Sequence, residues 1–219
     1  MTDHAQCVDR RRNDTRQRII DAAVLLIAER GYAQTSVADL ERAVGLRPGS
    51  GGLYRHFPTK DDVFSEVLGQ YTTRVRDLRS RLADKWSQPS SEARHEYGHH
   101  LDKDLRHVLD QLRQFLDAEA HVVRIGSEVG VLSDELRSNI GEAWEEGYGI
   151  LSDVLEHHGV QPKEARIRAV HALGAIDHYT SAVNLRGRQP LGVTLDEFVD
   201  HWIAAASPPP EAPTIASAR

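Results

Sequence analysis

The chain has 219 residues and a formal net charge of −6, with 27 Lys and Arg against 33 Asp and Glu. Its mean hydropathy is −0.49, and the absence of any run near ~20 apolar residues excludes a membrane-spanning helix. The single cysteine, Cys7, excludes an internal disulfide framework and a cysteine-built zinc site. Because the first residues lack the apolar segment of a secretory signal, we expect a cytoplasmic protein.

The charge is unevenly distributed along the chain. Residues 1–60 contain ten Lys and Arg and seven Asp and Glu, a net charge of +3, whereas residues 61–219 carry a net charge of −9. Such asymmetry indicates a basic module carried on an acidic body.

A basic arm and a first helix are predicted at the start of the chain. We expect residues 1–14, which include Arg10–Arg12, to form a flexible arm. Over Thr15–Arg30 apolar residues recur at helical spacing, and Gly31 is suited to end that helix.

A short helix and a glycine-rich turn follow. Val37–Val44 is predicted to be helical, with Thr35 or Ser36 as its N-cap and Gly45 at its end. Residues 46–52 are rich in glycine and lead into the run Leu-Tyr-Arg-His-Phe, after which a proline interrupts the backbone.

Helical patterns continue almost to the C-terminus. A long helix over 60–86 is predicted to join the N-terminal module to the rest, and residues 87–91 are the best linker candidate. Further helices are predicted at about 91–107, 108–126, 133–158, 163–186 and 194–206. The tail, 207–219, contains four prolines and is predicted to be disordered. No segment alternates in the manner of a strand, so the predicted fold class is all-α.

Two short helices joined by a turn and preceded by a longer helix are typical of a helix-turn-helix unit. The motif runs Thr-Ser-Val-Ala-Asp-Leu-Glu-Arg-Ala-Val-Gly over 35–45 and Gly-Leu-Tyr-Arg-His-Phe-Pro-Thr-Lys over 52–60. It resembles the TetR family of transcriptional regulators. The resemblance implies a DNA-binding domain over 15–62 and a larger helical ligand-binding and dimerisation domain over 63–206.

The resemblance and the side-chain chemistry together predict contacts with operator DNA. The tyrosine hydroxyl, the histidine ring and the lysine ammonium can bind phosphate, and Arg55 can read guanine through two hydrogen bonds. The basic arm is either a solvated segment or a minor-groove contact. The predicted DNA-binding residues are Thr35, Arg47, Ser50, Gly52, Tyr54, Arg55, His56 and Lys60.

One departure from the family pattern lies inside the motif. The interval from Gly45 to Tyr54 is two residues longer than the family's usual spacing, and the excess falls in a glycine-rich stretch. Each glycine weakens a helix by roughly 1 kcal/mol relative to alanine. We therefore expect the recognition helix to start late or to form fully only on DNA.

The body is predicted to dimerise and to bind an effector. The helix over 163–186 is apolar on two faces, so one face can meet a partner chain, as the resemblance also implies. The predicted dimerisation residues are Leu151, Leu155, Ala169, Ala172, Ile176, Tyr179 and Val183. An unidentified small-molecule effector is predicted to contact Tyr71, His107, Phe115, His121, Arg124, Trp144, Tyr148 and His178.

Other function classes have less support in the sequence. No catalytic motif is present, so we predict no catalytic residues, no cofactor and no metal site. The main alternative is a metal-binding or enzymatic helical bundle that uses the His- and Glu-rich helix 91–107, where Glu92/His95 and Glu96/His99 have ligand spacing. A further alternative is an adaptor whose helix-turn-helix binds protein, which would show no salt-dependent DNA affinity.

Overall fold

A computed structural model describes residues 2–87, 97–126 and 132–206 of the chain. The described residues form eight α-helices and two short 3-10 turns, and none of them is in a strand, which confirms the all-α prediction. The helices are α1 (Thr2–Arg30), α2 (Val37–Ala43), α3 (Lys60–Ser87), α4 (Tyr97–Ala118), α5 (Ala120–Gly126), α6 (Asp134–His157), α7 (Pro162–Arg186) and α8 (Leu195–Ala206).

The chain divides into two compact units. The first unit comprises Met1–Asp77 and Gln114–Glu146, and the second comprises Leu78–Arg113 and Gly147–Arg219. This division differs from the predicted boundary at residue 62. The reason is that the first part of α3 and residues from the middle of the chain contribute to the same apolar core as the helix-turn-helix.

The core of the first unit forms because three helices each present an apolar stripe. On α1, Ile19, Ala23 and Ile27 follow one another at four-residue spacing, and all three are fully buried. Burying an aliphatic side chain of this size stabilises the fold by roughly 1.5–3 kcal/mol. The stripe packs with buried residues of α2, the following turn and α3, namely Leu40, Val44, Leu53, Phe57, Val63, Phe64, Val67 and Leu68.

The second unit buries the apolar faces of α4, α6, α7 and α8. A single close approach fixes part of this packing, because a Cβ on Gly149 would lie 2.4 Å from Nη1 of Arg79. The glycine therefore leaves room for the Arg79 guanidinium, which donates to the carboxylate of Asp153 over 2.7 and 3.0 Å.

Two of the predicted helix boundaries are wrong. The helix predicted to start near Thr15 begins at Thr2, because no glycine or proline interrupts the sequence before Arg30; the expected arm is thus helical from Thr2. The break predicted between residues 107 and 108 is absent as well. Leu101, Leu105 and Leu112 belong to one continuous buried stripe of α4, which extends to Ala118.

Several predictions concern residues outside the described part of the chain. These are the linker beyond Ser87, the tail 207–219, and the side chains of Arg10–Arg12. Within the described ranges, every helix is too short or too polar to cross a membrane.

Candidate nucleic-acid interface

The turn between α1 and α2 is held by side chains that the sequence assigns to DNA contact. The hydroxyl of Thr35 donates to the carbonyl of Gly31 over 2.8 Å, and Thr35 is only 1% exposed. The hydroxyl is thus engaged within the protein, and its contact with DNA stays a prediction. Ser36 is the N-cap of α2 and forms a capping box with Asp39, whose pKa the Ser36 hydrogen bonds lower to about 2.

The segment after α2 is a turn rather than a recognition α-helix. Residues 46–52 have no helical hydrogen-bond ladder, and a single 3-10 turn over Leu53–Arg55 follows them. Gly49 and Gly51 have φ of +77° and +72°, which residues with a Cβ rarely adopt. The two extra residues thus replace the first turn of the expected helix by a left-handed loop.

The segment after α2 has a buried side and an exposed side. Leu53 and Phe57 are buried in the core, in agreement with their four-residue spacing, whereas Tyr54 is 56% exposed and Arg55 is also exposed. Gly52 is buried, and a Cβ there would lie 3.3 Å from the Leu46 side chain. Gly52 therefore faces the Leu46 side chain, and its predicted role in DNA contact stays a prediction.

Two further predicted contact residues lie on the exposed side of the loop. Arg47 and Ser50 are both exposed, and the Ser50 hydroxyl donates to the Arg47 carbonyl over 2.6 Å. His56 is half-buried, with its Nδ1 atom enclosed, so a phosphate could reach this ring only from its Nε2 side.

Lys60 points toward the protein instead of toward open solvent. Its ammonium donates to the carbonyls of Tyr32 and Thr35, both over 3.0 Å, and lies 3.9 Å from the centre of the Tyr32 ring. The Tyr32 hydroxyl in turn donates to the carboxylate of Asp61. These contacts favour a role for Lys60 in fixing the α1–α2 turn against the start of α3.

We expect Lys60→Met to lower the free energy of unfolding by about 1–3 kcal/mol, because it leaves two carbonyls without their charged donor. Urea denaturation measures the change, and Lys85→Met, on the same helix at an exposed ion pair, is the matched control. Parent-like stability, together with a salt slope of DNA binding reduced by about one, would instead show that Lys60 binds phosphate.

Sequence reasoning missed three residues of this module. The Arg18 guanidinium donates to the carbonyl of Val44 at the end of α2 over 2.7 Å. Arg16 lies over the Phe57 ring at 4.5 Å and pairs with Glu66, whose pKa it lowers. Glu41, on the core side of α2, is 1% exposed. A glutamate four residues after Val37 was the available signal, since that spacing places it on the apolar face.

Comparison with known proteins supports this module as a DNA-binding unit. The model of the bacterial regulatory proteins of the tetR family matches residues 19–67. The HTH-type transcriptional regulator AcrR of Shigella flexneri is 26% identical over 133 residues, 60% of this chain and 60% of that relative. The HTH-type transcriptional repressor KstR2 of Rhodococcus jostii (strain RHA1) is 42% identical over 53 residues, 24% of this chain and 25% of the relative. Residues 19–67 of the chain therefore match the TetR family.

The likeness in fold extends beyond the helix-turn-helix. The structure of the transcriptional regulator FadR from Bacillus subtilis in complex with stearoyl-CoA covers 87% of this chain, and the chain covers 98% of it, with a TM-score of 0.60 and 21% identity. This chain spans 60% of the length of the AcrR relative and a quarter of the KstR2 relative. These three relatives are regulators of transcription and not enzymes.

The predicted effector residues are divided between the two units. Tyr71 and Phe115 lie in the first unit with ring centres 5.6 Å apart, and burial raises the pKa of Tyr71 to about 12. His121 and Trp144 are exposed residues of the same unit. In the second unit His107 and Tyr148 are half-buried and His178 is exposed, while the side chain of Arg124 lies outside the described residues.

The first unit contains a groove elsewhere. It has a volume of about 330 Å³ and lies between α1, α3 and α5. Val24, Val67 and Val122 line it, and the paired side chains of Arg74 and Glu119 contribute its polar edge. None of the predicted effector residues lines this groove.

The predicted dimerisation residues lie on α6 and α7, and the chain itself covers part of them. Leu151, Leu155, Ala169 and Ala172 are at most 1% exposed in the single chain, because they form its own core. Ile176, Tyr179 and Val183 are half-buried, and the Tyr179 ring stacks on Phe198 of α8 with its hydroxyl donating to the Val193 carbonyl.

The opposite face of α7 is the exposed apolar one. Ile167 is 42% exposed and Val170 is 48% exposed, three residues further along the same helix. Periodicity identifies two apolar faces on α7 but not which of them the chain covers with its own residues. Since the small alanines allow the closest helix approach, the intramolecular packing uses their face.

Metal binding has no support among the described residues, which include no group of three or more His, Cys, Asp or Glu placed to hold an ion. Glu92, His95 and Glu96, and the side chain of His99, lie outside the described part of the chain. The metal-dependent alternative therefore stays a prediction.

Proposed function

We propose that the protein is a repressor that binds a near-palindromic operator as a homodimer and is released by a small-molecule effector. The observation that carries the proposal is the joint exposure of Arg47, Tyr54 and Arg55 on the segment after α2. The repressor name of the KstR2 relative supports the direction of regulation. The function belongs in the compartment that holds the DNA, which in bacteria is the cytoplasm.

The exposed residues have two roles: one kind positions the protein on the duplex, and the other reads the base sequence. Tyr54 offers a phenolic hydroxyl to phosphate, a contact that places the protein on the duplex without reading its sequence. Arg55 and Arg47 carry guanidinium groups, which can bind guanine through two hydrogen bonds in the major groove. The net charge of +3 on residues 1–60 favours the approach of this end to DNA.

Changes to single base pairs of the operator separate the reading of base sequence from general attraction to DNA. We expect Arg55→Ala to relax base preference at one position of each half-site, at a cost of about 1–3 kcal/mol for the preferred base. Competition binding with operators changed at single base pairs measures this. Arg81→Ala, an exposed arginine of the second unit, is the control for losing one positive charge. Parent-like discrimination by Arg55→Ala would remove Arg55 from the reading residues.

We propose the exposed face of α7 as the contact between two copies of the chain. Ile167 and Val170 expose apolar surface that a second copy can cover, and a two-fold axis makes the same patch meet itself. The segment after α2 that carries Arg47, Tyr54 and Arg55 is the recognition segment of each copy, and the two recognition segments must lie about 34–36 Å apart to enter successive major grooves. This requirement is why the operator is expected to be a near-palindrome.

Release by an effector requires a ligand that prefers the state in which the two recognition segments do not fit successive grooves. Such a ligand lowers DNA affinity by the difference between its affinities for the two states. The FadR structure supports an organic effector, because FadR is in complex with stearoyl-CoA there. Titration of saturated acyl-CoA into the operator complex tests this class, with free coenzyme A as the control.

A further inference from the structure

Glu41 has an unusual position for a carboxylate. It lies on α2 with 1% of its surface exposed, and its two oxygens accept hydrogen bonds from the backbone of the recognition segment. Oε2 accepts from the Gly49 N–H over 2.7 Å, and Oε1 accepts from the Leu53 N–H over 3.1 Å. The Gly52 N–H is directed at the same carboxylate.

A buried carboxylate is stable only when its charge is compensated. Here backbone N–H groups supply the compensation, and their hydrogen bonds, first that of Leu53 and then that of Gly49, lower the pKa of Glu41. The carboxylate is therefore ionised at neutral pH. Its charge in turn fixes the direction of three backbone N–H groups that no helical hydrogen bond satisfies.

Glu41 is important for DNA contact because of where the residues that it holds, Gly49 and Leu53, lie in the chain. Gly49 and Leu53 enclose Ser50 and the two following glycines, which is the part of the motif where the chain exceeds the family spacing. Arg47 precedes Gly49 by two residues, and Arg55 follows Leu53 by two residues. One buried side chain thus sets the backbone on both sides of the exposed loop.

We propose that Glu41 is the positioning residue of the recognition segment: its ionised carboxylate holds the glycine-rich loop in the shape that presents Arg47 and Arg55 to base edges. This inference rests on the proposed DNA-binding function. Glu41 touches no DNA itself and acts through the loop. Removing its charge therefore lowers discrimination between operator and random DNA, while general attraction to phosphate is kept or increased because the module becomes more basic.

The first arm of the test needs no DNA. Hydrogen exchange of the full chain, followed by NMR, compares the parent with Glu41→Gln, which keeps the side-chain shape but removes the charge and replaces one accepting oxygen by an amide N–H₂. The amides of Gly49 and Leu53 are expected to exchange about tenfold faster in Glu41→Gln. Amides in the middle of α1 should keep the parent rates.

The second arm measures binding to a selected operator and to random duplex DNA by fluorescence anisotropy. Glu41→Gln is expected to lose roughly tenfold in the ratio of operator to random affinity, the size of one lost base contact. Glu29→Gln, an exposed glutamate of α1, removes the same charge from the same module and should keep the parent ratio. If Glu41→Gln does not fold, Glu41→Asp, which keeps the charge but shortens the reach, is measured instead with the same expectations.

The outcomes are distinguishable. Faster loop exchange with a lowered affinity ratio supports the proposal, whereas parent-like exchange or a parent-like ratio overturns it. If the parent protein itself binds no DNA, the proposed function fails, and the exchange arm still decides whether Glu41 holds the loop.

Discussion

Replacing Phe57 with alanine is expected to lower the free energy of unfolding of the first unit by about 3–5 kcal/mol. The ring is 2% exposed, and it packs in the cluster that joins α1, α2 and α3. It also supports the Arg16 guanidinium at 4.5 Å, so its loss removes the surface on which the Arg16–Glu66 pair is arranged. Chemical denaturation followed by circular dichroism measures the change.

Tyr54 is the matched control for Phe57, since it is an aromatic residue of the same segment. It is 56% exposed, so Tyr54→Ala is expected to change stability by less than about 0.5 kcal/mol while weakening operator binding. Equal losses of stability in the two variants would contradict the division of this segment into a core side and a DNA side.

Replacing both Ile167 and Val170 with glutamate is expected to convert the protein to monomers of 24.5 kDa. In a two-fold interface each substitution occurs twice, so four carboxylates would have to be buried without partners. Operator affinity should then fall by at least about 100-fold, because the two half-sites no longer bind as one unit. Light scattering measures the mass, and fluorescence anisotropy measures the affinity.

Val123→Glu provides the control for the α7 face. Val123 is 41% exposed on α5, close to the exposure of Ile167, and the substitution is the same in kind. It should leave both mass and operator affinity unchanged. If the double variant of α7 is still a dimer, the subunit interface lies elsewhere.

The sequence predicted the core side of the recognition segment well, and the reason is periodicity. Leu53 and Phe57, four residues apart, are buried, and Gly45, with φ of +76°, follows the end of α2. Spacing of this kind depends on local geometry alone, so it can be read without knowing the tertiary structure.

The sequence alone does not give contacts that depend on tertiary structure. The charge of Lys60 predicts phosphate contact, but in the structure its ammonium donates to carbonyls that are 25 and 28 residues away in the chain. The hydroxyl of Thr35 predicts DNA contact, but in the structure it donates to the carbonyl of Gly31. The two faces of α7 are both apolar in sequence, and only the packing of the alanine face within the chain distinguishes them.

Selection of binding sites from a random duplex library by the purified full chain tests the central claim most directly. The account predicts enrichment of a near-palindrome whose half-site centres are separated by about one helical turn, roughly 10–10.5 base pairs, or a multiple of it. It also predicts that affinity for the selected site falls steeply as salt increases. Retention of library DNA without sequence enrichment, or with an affinity independent of salt, would contradict the assignment of this chain as an operator-binding regulator.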